Sequence, residues 1–186
     1  MEFVRIFEDE DSLLTVKYDG QDEDEFAKIF KNWTDIEYLN NFFEANETDL
    51  KRPYWKGISI EQAIIETRRE ALKFRGHLKK MSSRTKKERI SVFTRLFQPL
   101  SYYEPEQSYL IKKKAYGLRK RTWLRLYAIK ICDDMFIITG GTIKLTDRMD
   151  ERPHTVAELS KLQSCREYLR GIGVFDDDGM LELLEL

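Results

Sequence analysis

Residues 136–146, FIITGGTIKLT, decide the architecture. Four β-prone residues run into Gly140-Gly141, and β-prone residues resume behind the pair. Three readings are open. A two-residue Gly-Gly turn would fold the stretch into a hairpin, with arms of only about four residues each. A glycine loop that cradles phosphate needs more glycines, or a following helix whose N–H groups face the ligand. A single strand running through the pair with a bulge or kink is the reading we favour. Glycine inside a strand marks a bulge or a close backbone approach, and TIKLT continues as a strand. A bulge would re-aim Lys144 relative to Phe136.

Working outward, SYLIKKKAYG, RTWLRLYAIKI and MFIITGGTIKLT read as three strands starting near residue 108. Short turns at Gly117 and Asp133-Asp134 join them. In the middle strand Trp123, Arg125, Tyr127 and Ile129 share one face by period two, and Leu124, Leu126, Ala128 and Lys130 share the other. The chain before them is helical. Ser59-x-x-Gln62 is a capping box opening a helix over about residues 59–81. Its seam of Ile60, Ile64, Thr67, Ala71, Phe74, Leu78 and Met81 alternates steps of four and three. Arg68, Arg69, Lys73, Arg75, Lys79 and Lys80 occupy its other faces. A shorter helix at about 86–97 ends before Pro99.

Near the N-terminus, FVRIF and LLTVKY flank EDEDS as a hairpin. DEDEFAKIFKNW and the Asp35-capped IEYLNNFFEAN read as two helices. Thr155-x-x-Glu158 is a further capping box, opening a helix that ends near Gly171. Asp176-Asp177-Asp178-Gly179 lacks the spaced ligands of a calcium loop and reads as a turn. The expectation is an α+β fold: an antiparallel sheet of three to five strands with helices packed on one face, plus an N-terminal hairpin and helices. Residues 1–55 form an acidic extension and 56–186 the main domain.

The net charge of −1 conceals a strong pattern. Residues 1–50 hold 15 acids and 4 bases, residues 51–130 hold 6 acids and 22 bases, and residues 131–186 hold 12 acids and 6 bases. A basic middle attracts an anionic partner, and the acidic segments 8–11, 22–25 and 176–178 compete for it. Cys132 and Cys165 read as buried thiols of a reducing compartment, and with His77 and His154 they give no metal-site spacing. No apolar run approaches about eighteen residues, and the first residues lack the pattern of a secretory signal. The expected location is the cytoplasm, with no membrane partner, no metal and no cofactor.

The segment LRLYAIKICDDMFIITGGTIKLTDRMDERPHTVAELSKLQSCREYL resembles the RelE/HigB-type toxin superfamily, in particular its phage-derived HigB-like branch. Arg125 and Tyr127 match the Arg-x-Tyr strand, and Asp133-Asp134 match the turn. Gly141, Lys144 and Thr146 match the strand end, and Glu158 the helix. The resemblance spans about fifty residues, and up to about 110 if the two preceding helices are the family's helical pair. The chain departs from the pattern in three ways. Leu145 stands where a second lysine is common. IKKKAYGLRKR replaces an arginine-bearing segment. No histidine or basic residue follows Arg170.

The resemblance implies the toxin component of a toxin–antitoxin system, a metal-independent endoribonuclease acting on mRNA at the ribosome or on free RNA. It also implies a small helix-turn-helix antitoxin as partner. The alternative is a catalytically inactive module of the same fold that binds nucleic acid or protein. RNA cleavage without metal needs a group that takes the 2′-OH proton, an in-line phosphate and a cation on the developing charge. Arg125 and Lys144 are the candidate phosphate groups, and Tyr127 and His154 the candidates for proton transfer or stacking. Lys112, Lys113, Lys114, Arg119, Arg121, Lys79 and Lys80 are candidates for tracking the RNA backbone. Each also has a plain structural role open to it: an ion pair for Arg125, core packing for Tyr127, a surface loop for His154, a charged edge strand for Lys112–Lys114.

Overall fold

The computed structural model describes residues 1–8, 10–100 and 110–185. Asp9 and positions 108–109 of the expected first meander strand lie outside the described residues. FIITGGTIKLT belongs to one strand that runs straight through both glycines. This strand, β6 (Met135–Ile143), pairs antiparallel with β5 (Leu124–Cys132), and the register slips between Tyr127↔Gly140 and Ala128↔Ile138. The extra residue is Thr139, so a bulge sits directly before the glycine pair. The glycines are there for space. A Cβ on Gly140 would run into the Glu158 carboxylate, and one on Gly141 would lie 2.9 Å from the Arg125 carbonyl oxygen.

Around this pair the sheet extends in both directions. On one side β4 (Ile111–Tyr116) pairs antiparallel with β5, and the three-residue edge strand β3 (Phe97–Pro99) pairs with β4. On the other side the N-terminal hairpin, β1 (Glu2–Phe7) and β2 (Glu10–Lys17), joins the same sheet, with β2 parallel to β6. The order is β1-β2-β6-β5-β4-β3. The sheet is therefore six-stranded and mixed, where three to five antiparallel strands were expected. The hairpin and the meander are separated by about a hundred residues, and nothing in the local pattern reveals that they pair.

Helices cover both faces, not one. The first layer holds α1 (Glu25–Asn32), α2 (Ile36–Ala45), α3 (Glu47–Leu50), α4 (Ile60–Ser82) and α5 (Lys86–Leu96). Asp24 and Asp35 cap the first two helices, accepting from the amides of Ala27 at 3.0 Å and Tyr38 at 2.7 Å. α4 carries the Ser59/Gln62 capping box. This layer packs Phe26, Phe30, Phe43, Phe74, Leu78 and Phe93 on Leu124, Leu126, Ala128 and Ile138. The second layer is α6 (Pro153–Gly171) and α7 (Asp177–Leu184), whose Leu162, Cys165, Leu169 and Met180 pack on Tyr127, Ile129, Ile131 and Ile137. The reason is in the central strands. β5 and β6 are apolar at both odd and even positions, and a strand apolar on both sides needs cover on both.

Two local readings also change. α6 opens at Pro153, two residues before Thr155, because the fixed φ of proline suits the first helical position. Thr155 is buried, and its hydroxyl donates to the Met149 carbonyl at 2.5 Å. Trp123 precedes β5 and turns away from Arg125 into the first layer. Its indole N–H donates to Thr67 Oγ1 at 2.8 Å, between the rings of Phe43 and Trp55.

Candidate functional site

The face of β4 and β5 that α6 leaves uncovered opens into a cleft of about 660 Å³. Its floor follows from strand pairing. Lys114 is opposite Tyr127 and Tyr116 opposite Arg125, so all four side chains share one face. One wall is a single 3-10 turn, Pro53–Trp55, with Arg52 before it. The other wall is the chain that leaves β6, from Lys144 to Met149. Trp55 ties the walls together, its indole N–H donating to the Leu145 carbonyl at 3.0 Å.

Arg125 lies at the centre, half-buried. Its guanidinium donates to the carbonyls of Thr122 and Leu124, each at 2.8 Å, and its central carbon is 4.1 Å from the centroid of the Tyr116 ring. Burial lowers its pKa from the ordinary value, yet an arginine stays protonated at any physiological pH. Lys144 donates to the carbonyls of Thr146 at 2.7 Å and Asp147 at 2.5 Å. Burial first, and then the charge of Arg125, pull its pKa down, against the opposing pull of Asp147 and Glu151. Lys114 reaches the Leu100 carbonyl at 3.4 Å, and Arg121 at the rim donates to the Tyr54 carbonyl and lies over that ring at 5.4 Å.

None of Lys114, Arg121, Arg125 and Lys144 forms an ion pair among the described residues; carbonyls and rings are their partners. Arg52 differs, because it is held by Asp49 and Glu151. Lys114, Arg125 and Lys144 are half-buried and Arg121 is exposed; cations bound only to neutral dipoles keep their affinity for an anion, and a phosphate would supply the missing counter-charge. No described residue of the acidic segments 8–11, 22–25 and 176–178 lines the cleft.

The structure thus brings Arg125, Tyr127, Lys144 and Lys114 into one cleft, with Arg121 at its edge. Tyr127 contributes little exposed surface: its hydroxyl donates to Met149 Sδ at 2.9 Å, and burial raises its pKa above the ordinary value. His154 is elsewhere. It stands at the start of α6 beyond the far edge of β6, with Nε2 3.2 Å from the Ile143 carbonyl and its ring edge-on to Phe42. The remaining cations scatter. Lys112 donates to Gln163 on α6, and Lys113 lies on the opposite face of the sheet. Arg119 pairs with Glu66 on α4. Lys79 lines a separate groove beside Glu8 and Glu10, and Lys80 is exposed near the end of α4. Sequence reasoning missed Tyr116, Arg52, Tyr54 and Trp55. Tyr116 could have been found, since period two places it with Lys112 and Lys114.

No family model, no curated protein and no solved structure matches this chain. No helix among the described residues is long and apolar enough to cross a membrane.

Proposed function

We propose that this protein binds single-stranded RNA in the Arg125 cleft and cleaves it without a metal, as a toxin of the RelE/HigB type. The observation that carries the reading is the convergence of Lys114, Arg125 and Lys144, with Arg121 at the rim, all free of ion pairs among the described residues, on a cleft with Tyr116 on its floor and Tyr54 on its wall. Cations that track phosphate beside rings that stack bases are what a single strand requires. The resemblance carried by Arg125, Tyr127, Gly141, Lys144 and Thr146 points the same way.

In this reading Arg125 holds the scissile phosphate and stabilises the charge that grows on it. Lys144, whose pKa is lowered, takes the proton of the ribose 2′-OH in its neutral form. The O2′–P bond forms, the P–O5′ bond breaks, and water protonates the departing 5′ oxygen. The products are a 2′,3′-cyclic phosphate and a 5′-hydroxyl. Its location is the cytoplasm, its substrate mRNA, ribosome-bound or free, and its neutralising partner a small helix-turn-helix antitoxin.

One observation favours a second reading, a binding module without catalysis. With His154 outside the cleft and the Tyr127 hydroxyl buried against Met149, neither of the two expected proton-transfer groups presents its polar atom to the cleft. The test is incubation of purified protein with mRNA, with and without ribosomes, followed by end mapping. Cleavage by wild type and its loss in Arg125→Ala support the toxin reading. RNA binding without cleavage supports the module, and neither binding nor cleavage overturns both.

A further inference from the structure

α4 turns a second cationic surface to solvent, on the face opposite its buried stripe of Thr67, Ala71, Phe74 and Leu78. Residues three, four and seven apart share a helix face, so its cations fall into two rows. Arg69, Lys73 and Lys80 form one row and Arg68, Arg75 and Lys79 the other, with exposed Leu72 and Gly76 between them. From Arg68 to Lys80 the rows run for about 18 Å. All six cations are exposed, and none forms an ion pair among the described residues. Arg68 has a neutral partner, the Thr34 carbonyl at 2.9 Å. Glu70 is the one acid between Arg68 and Lys87, and it is buried, accepting from the Arg119 amide at 3.0 Å. Like charges this close on one helix repel, so the surface favours a polyanion.

This surface leads toward the Arg125 cleft. Arg69 and Lys73 flank a hollow of about 240 Å³ that is also lined by Leu118 and Arg119, in the loop between β4 and β5. The loop continues through exposed Lys120 to Arg121, which lies over the Tyr54 ring at the cleft rim. The other row is less free, since Arg75 and Lys79 share a groove with Glu8 and Glu10. Arg69, Lys73 and Lys80 therefore form the side of α4 that gives the cleft a cationic approach.

The chemistry of the surface selects the partner. Single strands are held by rings that stack their bases, and α4 exposes no tyrosine, phenylalanine or tryptophan. Cations without rings meet a strand through its phosphates, which is the contact a double helix offers. A bilayer takes up a helix by a broad apolar face, and the apolar stripe of α4 is buried, leaving Ile65 and Leu72 exposed. Lysine is depleted where proteins meet, and this face carries Lys73, Lys79 and Lys80. α1, α2 and α5 lie against α4, so it does not stand proud enough to enter the roughly 12 Å major groove of DNA. The wide, shallow minor groove of an RNA duplex accepts such a surface. We propose that the outer face of α4 binds the phosphate backbone of an RNA double helix, whose single-stranded end enters the Arg125 cleft. The choice of RNA rests on the reading of that cleft.

Two labelled probes separate the α4 surface from the cleft: a blunt RNA duplex with no single strand, and a short oligouridylate. Fluorescence anisotropy with the full-length protein over a salt series reads both. Combining Arg69→Gln, Lys73→Gln and Lys80→Gln should weaken duplex binding by about tenfold or more at low salt and make its log–log salt slope shallower by about 2–3. Oligouridylate affinity should stay within about twofold, because these residues do not line the cleft. Arg125→Ala should do the reverse. Loss of duplex binding in the triple variant, with no oligouridylate binding by wild type, keeps the α4 surface and overturns the cleft reading instead. No duplex binding by wild type at low salt, or equal duplex affinity in the folded triple variant, overturns the proposal. So does tighter binding to a DNA duplex of the same length or to phosphatidylglycerol vesicles. Circular dichroism checks the fold. Should the triple variant not fold, Lys73→Gln alone decides, with a duplex slope shallower by about 0.9 expected and an unchanged slope overturning the site.

Discussion

Arg125 and Tyr116 are direct partners across β4 and β5, and the guanidinium rests 4.1 Å from the centre of the tyrosine ring. The ring fixes the cation while leaving it without a carboxylate, which is the state a phosphate-binding arginine requires. Removing Arg125 by Arg125→Ala should lower RNA cleavage by about a hundred- to a thousandfold. Tyr116→Leu should weaken RNA binding by about three- to tenfold and Tyr116→Phe should not, since the π face is what matters. Binding isotherms and single-turnover rates, with circular dichroism to check folding, read out both.

Salt provides a second measure of the same cleft. If Lys114, Arg121, Arg125 and Lys144 each meet a phosphate, log affinity against log salt should fall with a slope of about −3 for a single strand. Lys144→Met and Lys114→Met should each make the slope shallower by about 0.7. A slope near zero, measured by fluorescence anisotropy over a salt series, would remove the electrostatic account.

Lys144 links the cleft to pH. Its pKa is lowered by burial and by Arg125, so its neutral form is populated below the pH at which an ordinary lysine would deprotonate. Cleavage limited by that base should rise with pH and level off at a midpoint below the usual lysine value. Arg125→Gln removes the neighbouring charge, so the residual activity should show the midpoint moved upward. A pH–rate profile whose midpoint is the same in both proteins would assign the proton transfer to another group.

Glu158 sets a pH dependence of stability. Burial first, and the nearby charge of Glu25, raise its pKa to about 7, against the attraction of Lys161 and Lys28. Tyr18 and Tyr38 also face it, from the end of β2 and from α2. A carboxyl with a raised folded pKa holds its proton where the unfolded chain has lost it. Stability therefore falls as pH rises from the unfolded value toward 7 and is level above it, by at most about 3 kcal/mol. Urea unfolding between pH 5 and 8 should show wild type losing stability relative to Glu158→Gln across that window.

Gly140 is coupled to the same residue. Gly140→Ala forces its methyl into the Glu158 carboxylate and to 3.2 Å from Lys161 Cδ. The expected loss is about 1–3 kcal/mol by thermal or urea unfolding. In Glu158→Ala the obstacle is gone, so Gly140→Ala should cost much less there, and a double-mutant cycle measures the coupling.

Much of this was legible locally. The bulged strand through Gly140-Gly141, the caps at Asp24, Asp35 and Ser59, and the helix seam of α4 follow from turn chemistry and periodicity. Period two along β5 put Arg125 beside Tyr127. Other features depend on contacts between distant residues. Arg52, Tyr54 and Trp55 enter the cleft because Trp55 bonds to Leu145, 90 positions away. His154 follows Lys144 by only ten residues, yet the chain turns past the other edge of β6 and carries it out of the cleft.

By itself, then, the sequence determined the local alphabet of this protein: which stretches bury a face, where helices start, which strand carries Arg125 and Tyr127. That is so because caps, turns and periodicity act within a few residues. Only the tertiary structure decided that β2 lies parallel to β6, that helices cover both faces, and that Glu25 meets Glu158 and Lys161 where the two strands part. Those outcomes come from burying apolar surface on both sides of β5 and β6 at once. That driving force has no direction along the chain, so no short stretch of residues records which partner will supply the cover.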